Sequence, residues 1–162
     1  MADGGASTMI ILVASLIISG AASVVLIEAW GGLAEASDKV TSKRAADLET
    51  DVAISGDRGS TFLDTGAKEI TLFFENTGTR HLNTTTFGIF VDGTPVGTGS
   101  SMTLYPASGI WASGTIMSVI VTDTSFAYVD GDRATVTIVV KSEVSGGYVG
   151  SASATEEVRF YE

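Results

Sequence analysis

Chemistry in a protein begins with a few side-chain types, and this chain is poor in them. It has no cysteine and a single histidine, His81. Without cysteine there is no disulfide framework, no zinc-thiolate cluster and no thiol nucleophile. His81 sits in "TGTRHLNTT" with no second ligand or triad partner beside it, so it reads as a loop histidine and not as a catalytic base. Three carboxylates, Asp123, Asp130 and Asp132, fall in "VTDTSFAYVDGDR". Calcium takes about six to eight oxygens, but this spacing fits no EF-hand loop, and Asp-Gly pairs are common in hairpins. The expectation is a protein with no catalytic, cofactor-binding or metal-ligating residue, one that works by contact.

Two other patterns carry more information. Ser15, Ser19 and Ser23 recur at four-residue spacing, with Ala14, Gly20, Ala21 and Ala22 among them. On a helix that spacing puts the serines on one face, where small side chains let backbones approach closely in the absence of water. The expectation is self-association through that face. Asn83-Thr84-Thr85 fits the N-x-[ST] acceptor triplet for N-glycosylation, which would mark an outward-facing loop.

The serines belong to "STMIILVASLIISGAASVVLIEAW", Ser7 to Trp30. No charge appears between Asp3 and Glu28, which leaves about 24 residues, enough to cross a hydrocarbon core about 30 Å thick. A secretory signal peptide has a basic start and an apolar run of about 7–15 residues. "MADGG" has no Lys or Arg and the run here is longer, so the helix is expected to be kept. Trp30 at its boundary reads as an interface anchor. Beyond Gly31-Gly32, Leu33, Ala36, Val40 and Leu48 fall near one face and Glu35, Asp38, Lys39, Lys43 and Arg44 on the other. Residues 1–50 thus form a hydrophobic and then amphipathic helical element, in which one helix from Ser7 to Thr50 would be about 65 Å long and weakest at the glycine pair.

The texture changes near Asp51. Val, Ile, Thr and aromatic residues alternate, with turn signals at Asn76-Thr77-Gly78, Asp92-Gly93, Asp130-Gly131 and Gly146-Gly147. Seven strands are expected, at 51–55, 69–76, 85–92, 101–106, 115–123, 134–142 and 154–161. Val136, Ile138 and Val140 should share a core face, as should Val158 and Phe160. Trp111 reads as a core or edge aromatic. The fold class is α+β: a long N-terminal hydrophobic helix, then an antiparallel immunoglobulin-like β-sandwich over residues 51–162. Acidic residues outnumber basic ones by 19 to 9, for a net charge of −10. No basic patch interleaves with aromatics, so nucleic acid is not an expected partner.

Helix and sandwich in this order resemble the archaeal type IV pilin-like proteins. "ASTMIILVASLIISGAASVVL" and "ITLFFENTGTRHL…FVDGTPV" look most like the archaellum accessory protein G family (FlaG). The resemblance implies a stator or anchor of the archaeal cell envelope, membrane-bound with the sandwich outside, pairing with a FlaF-like protein and through it the S-layer. Arg80 and His81 lie where the resemblance is closest and are the expected partner contacts. "MADGGAS" lacks the basic processing stretch of secreted pilins: either the chain is not processed, which suits the accessory family, or this is a processed form. The alternative is an archaellin or pilin subunit whose helices bundle in an extracellular filament. A membrane-anchored enzyme or solute-binding sandwich would need a polar cleft, and the sequence offers no cluster for one.

Overall fold

The structure, a computed structural model, describes residues 4–162; the Met-Ala start of the chain lies outside the described residues. Helix α1 spans Gly4–Leu48 and passes through Gly31-Gly32 without interruption. The chain divides into two compact units, one ending at Thr41 and the other covering Ser42–Glu162. The last helical turns therefore belong with the strands. There the helix closes on itself: Glu49 N donates to Ala45 O at 3.0 Å, Thr50 N to Asp47 O at 3.2 Å and Thr50 Oγ1 to Ala46 O at 2.7 Å. These bonds occupy carbonyls that a helix end would otherwise leave without partners.

Nine strands follow: β1 (Ala53–Ser55), β2 (Thr61–Asp64), β3 (Glu69–Glu75), β4 (Leu82–Val91), β5 (Thr94–Val96), β6 (Thr98–Tyr105), β7 (Ile116–Thr122), β8 (Arg133–Ser142) and β9 (Ser151–Tyr161). All seven expected strands are present, with ends shifted by up to a few residues. The two additional ones are short. β2 has four residues, and β5 contains Pro95, which a strand tolerates at a sheet edge because no ladder donor is needed there. The pairing order is β5-β4-β8-β9-β2-β3-β7-β6, with β1 alongside β3. Every pairing is antiparallel except β2 with β9, which run parallel through Thr61 opposite Phe160 and Phe62 opposite Tyr161. The domain is the mostly antiparallel, sandwich-like fold expected, and this one parallel pairing joins its two antiparallel layers along one side.

One core fills the space between the layers. Leu63, Ile70, Leu72, Phe74, Met117, Val119 and Val121 come from one layer, and Ile89, Val91, Val136, Ile138, Val140, Val158 and Phe160 from the other. The strand period of two does the sorting. In β8 Ala134, Val136, Ile138 and Val140 are buried while Thr135, Val139 and Lys141 are exposed. Trp111 is fully buried, edge-on to Phe87 with ring centroids 6.4 Å apart, and donates its indole N–H to Thr115 O at 3.0 Å. It is a core residue. The β4–β5 hairpin turns on Asp92-Gly93, both at positive φ (48° and 76°), the mirror-image turn that matches strand twist. The Asp92 carboxylate accepts from Thr135 N at 2.7 Å and from the Tyr128 hydroxyl at 2.7 Å.

The helix end is fastened at two glycines. A Cβ on Gly150 would collide with Thr50 Oγ1 and Ala46 O, and one on Gly78 would come within 2.5 Å of Asp51 N and Glu49 O. Ala46 and Thr50 are buried by this approach. Lys43 Nζ donates to Val149 O at 2.8 Å, and Asp47 Oδ1 accepts from Ser151 N at 2.9 Å. Gly150→Ala should therefore destabilise the β-domain by about 2 kcal/mol or more, because backbone must move to admit the methyl. A fragment starting at Ser42 should melt at least about 5 °C above one starting at Asp51, which lacks all the contacts of residues 42–50. Thermal unfolding followed by circular dichroism checks both; equal melting of the two fragments would show that the helix end adds nothing.

Candidate assembly surface

Every residue from 5 to 41 is exposed. From Met9 to Ile27 twelve large apolar side chains stand between 51 % and 72 % exposed. Among the described residues this is the one helix long and apolar enough to cross a membrane. Burying a large apolar side chain is worth roughly 1.5–3 kcal/mol, so twelve together represent on the order of 20–30 kcal/mol. The freedom lost when two molecules associate costs about 4–15 kcal/mol. The balance favours covering this surface, by lipid or by other helices.

The three serines differ in detail. Ser15 Oγ donates back to Leu12 O at 2.9 Å and Ser23 Oγ to Ser19 O at 2.8 Å, so both hydroxyls are satisfied inside the helix. Among the described residues the Ser19 hydroxyl has no such bond. On a face whose period is four residues, it is the serine available to a neighbouring helix. The amphipathic face expected beyond Gly32 finds no cover either: Leu33, Val40 and Leu48 are exposed, Leu48 at 86 %. Ala46 is the buried position of the last turns.

The β-domain residues fall into different settings. Arg80 is 16 % exposed at its side chain and is used within the chain: Nε donates to Glu49 Oε2 at 2.7 Å and Nη1 to Tyr148 O at 3.1 Å. His81 is exposed, and its carbonyl accepts from Glu143 N at 2.8 Å. The loop holding both is set by Asn76, a fully buried residue that sequence reasoning saw only as a turn signal. Its Nδ2 donates to Arg80 O at 2.8 Å and to Trp111 O at 2.9 Å, and its Oδ1 accepts from Gly78 N at 3.1 Å. A buried amide with three bonds made is costly to replace. Asp123, Asp130 and Asp132 serve separate turns: Asp123 accepts from Ser125, Asp132 from Val129 N and Asp130 from Glu162 N. Among the described residues no group of His, Asp or Glu is placed to hold a metal ion.

The sequence profile of the archaeal-type flagellins matches residues 2–149. The chain belongs to that family. The match takes in the exposed helix and all strands but β9. It is a family of structural filament proteins, not of enzymes, so this archaeal-type flagellin is a structural component of the archaellum kind. Among curated proteins no relative matches the chain.

Two outcomes follow from the geometry of this flagellin. Ser19→Leu should weaken oligomers of the full-length protein in detergent several-fold, and Ser15→Ala should have little effect, as measured by sedimentation; equal assembly of the Ser19→Leu protein would dismiss the serine face. The second outcome concerns acid. The Asp47 carboxyl is held below its ordinary value of 3.8, first by the Lys43 hydrogen bond and then by Ser151 N. A lowered folded pKa stabilises above the ordinary value and is lost as pH falls through the lower folded one. Parent protein should thus lose melting temperature below about pH 4 more steeply than Asp47→Asn.

Proposed function

We propose that the chain is a filament subunit of the archaellum, its apolar helices packed against one another in the fibre core and its β-domains outside. The observation that carries this is the apolar run from Met9 to Ile27, exposed along its whole length and attached to a β-domain with a finished core of its own. The family match supports it. In this reading the membrane holds the subunit before assembly, and helix–helix contact replaces lipid afterwards. Small residues permit close backbones, while the large ones fill the space between. Work is done by contact and cohesion.

The alternative is the envelope-bound stator implied by the resemblance to the accessory G proteins, with a FlaF-like partner, the S-layer and Arg80 with His81 as contacts. Arg80 is already engaged by Glu49 and Tyr148, so a partner would meet His81 and the loop surface more readily than the guanidinium. Copy number separates the two. If the chain is a subunit, surface filaments sheared from cells should contain it as a major protein, and its deletion should abolish the fibres. Cells that keep normal filaments and lose only swimming would reject the subunit reading and leave the stator.

A further inference from the structure

We propose that a notch on α1 made by Glu28, Gly31 and Gly32 receives Arg44 of a second copy of this chain, and that this ion pair sets the offset between neighbouring subunits. The proposal rests on the filament reading and names the contact that holds neighbours in register. Glu28 is the one charged residue between positions 4 and 34. It is exposed, and among the described residues its carboxylate has no partner. Val24 and Val25 lie one turn before it and Gly31 and Gly32 one turn after it, on its own face. A helix packing on that face takes the carboxylate out of water, which is costly unless a cation meets it.

The glycines are an independent observation. A Cβ on Gly31 or Gly32 would find nothing within 4 Å, and α1 runs through both positions. Glycine weakens a helix interior relative to alanine, and no contact among the described residues requires it here. Two bare positions beside Glu28 lower the helix surface, so that a long side chain of a neighbour can lie across the backbone and reach the carboxylate. α1 carries three cations. Lys39 Nζ pairs with Glu35 Oε1 at 2.7 Å, and Lys43 Nζ is shared between Asp47 Oδ1 at 2.7 Å and Val149 O at 2.8 Å. Arg44 is exposed, and among the described residues its guanidinium has no partner. Its fork of donors matches a carboxylate, and its stem can rest on the glycines. Arg44 lies sixteen residues beyond Glu28. Copies inserted into one membrane in one direction are parallel, so Arg44 of one meets Glu28 of the next only when the two are offset by those sixteen residues. Each copy then offers Glu28 to one neighbour and Arg44 to another. A contact between two different patches repeats without closing and builds an open fibre.

The test uses full-length protein in the cells that make it, with the parental gene removed, and measures the chain in sheared surface filaments by immunoblot. Glu28→Arg and Arg44→Glu are each expected to lower it at least about tenfold, and Gly32→Leu, which fills the notch, several-fold. Combining Glu28→Arg with Arg44→Glu in one chain should restore filaments, and so should producing the two single variants together, since each supplies the charge that the other lacks. The chain has no cysteine, so Glu28→Cys combined with Arg44→Cys gives a second reading without background. Oxidation with copper–phenanthroline should link these copies into a ladder of multimers on a denaturing gel, and neither cysteine alone should give more than dimers. Where a charge-swapped chain fails to reach the membrane, the ladder decides. No ladder, full assembly of either single swap or of Gly32→Leu, no restoration by the combined swaps, or restoration of Arg44→Glu by Asp38→Arg instead would each overturn the proposal. Absence of the parental chain from sheared fibres would overturn the filament reading alone, and the ladder formed in membranes would then decide the contact.

Discussion

Twelve large apolar side chains standing more than half exposed on one helix set the terms for this molecule. In water such a surface is untenable, and no rearrangement within the helix can hide it. Lipid and neighbouring helices are the two media that can, and they make different demands. Lipid asks for apolar length and satisfied backbone, which any uncharged helix of some twenty residues meets. Neighbouring helices ask in addition for small residues in register. The serine, alanine and glycine content of residues 14–23 meets the second demand, which the first would not have imposed.

The β-domain has to be indifferent to which medium the helix occupies, and its construction allows that. Its core closes between two layers joined by a two-residue parallel pairing, and its principal buried aromatics, Trp111, Phe74 and Phe160, belong to it alone. The helix end is held by close approach to Gly150 and Gly78 and by bonds from Lys43, Asp47 and Glu49, so the last turns are fixed in the β-domain whatever surrounds residues 5–41. On the proposed filament reading this division is useful, because the part that changes surroundings carries none of the β-domain core.

Polar groups follow the same economy. The buried Asn76 amide, the Asp92 carboxylate and the turn carboxylates of Asp123, Asp130 and Asp132 each bond to groups of the β-domain's own turns and strands. Side chains that elsewhere would converge on a substrate are here dispersed among turns. Asn83 stands apart because its oxygen collects three donors while its nitrogen is left over.

Composition and short period carry the uncharged helical stretch, the alternation that buries Val136, Ile138, Val140, Val158 and Phe160, and the Asp92-Gly93 turn. These are local, since each residue's preference is expressed over a few neighbours, and the chain's poverty in reactive side chains is written in its counts. Strands β2 and β5 were not legible, because three or four residues give too little alternation to stand out. The tertiary structure alone decided which distant groups meet. The parallel β2–β9 seam joins residues about a hundred positions apart, Gly150 is required by a helix turn far upstream, and Arg80 is turned inward by Glu49 and Tyr148. No local pattern encodes such meetings, because they follow from closing one core around all the strands at once.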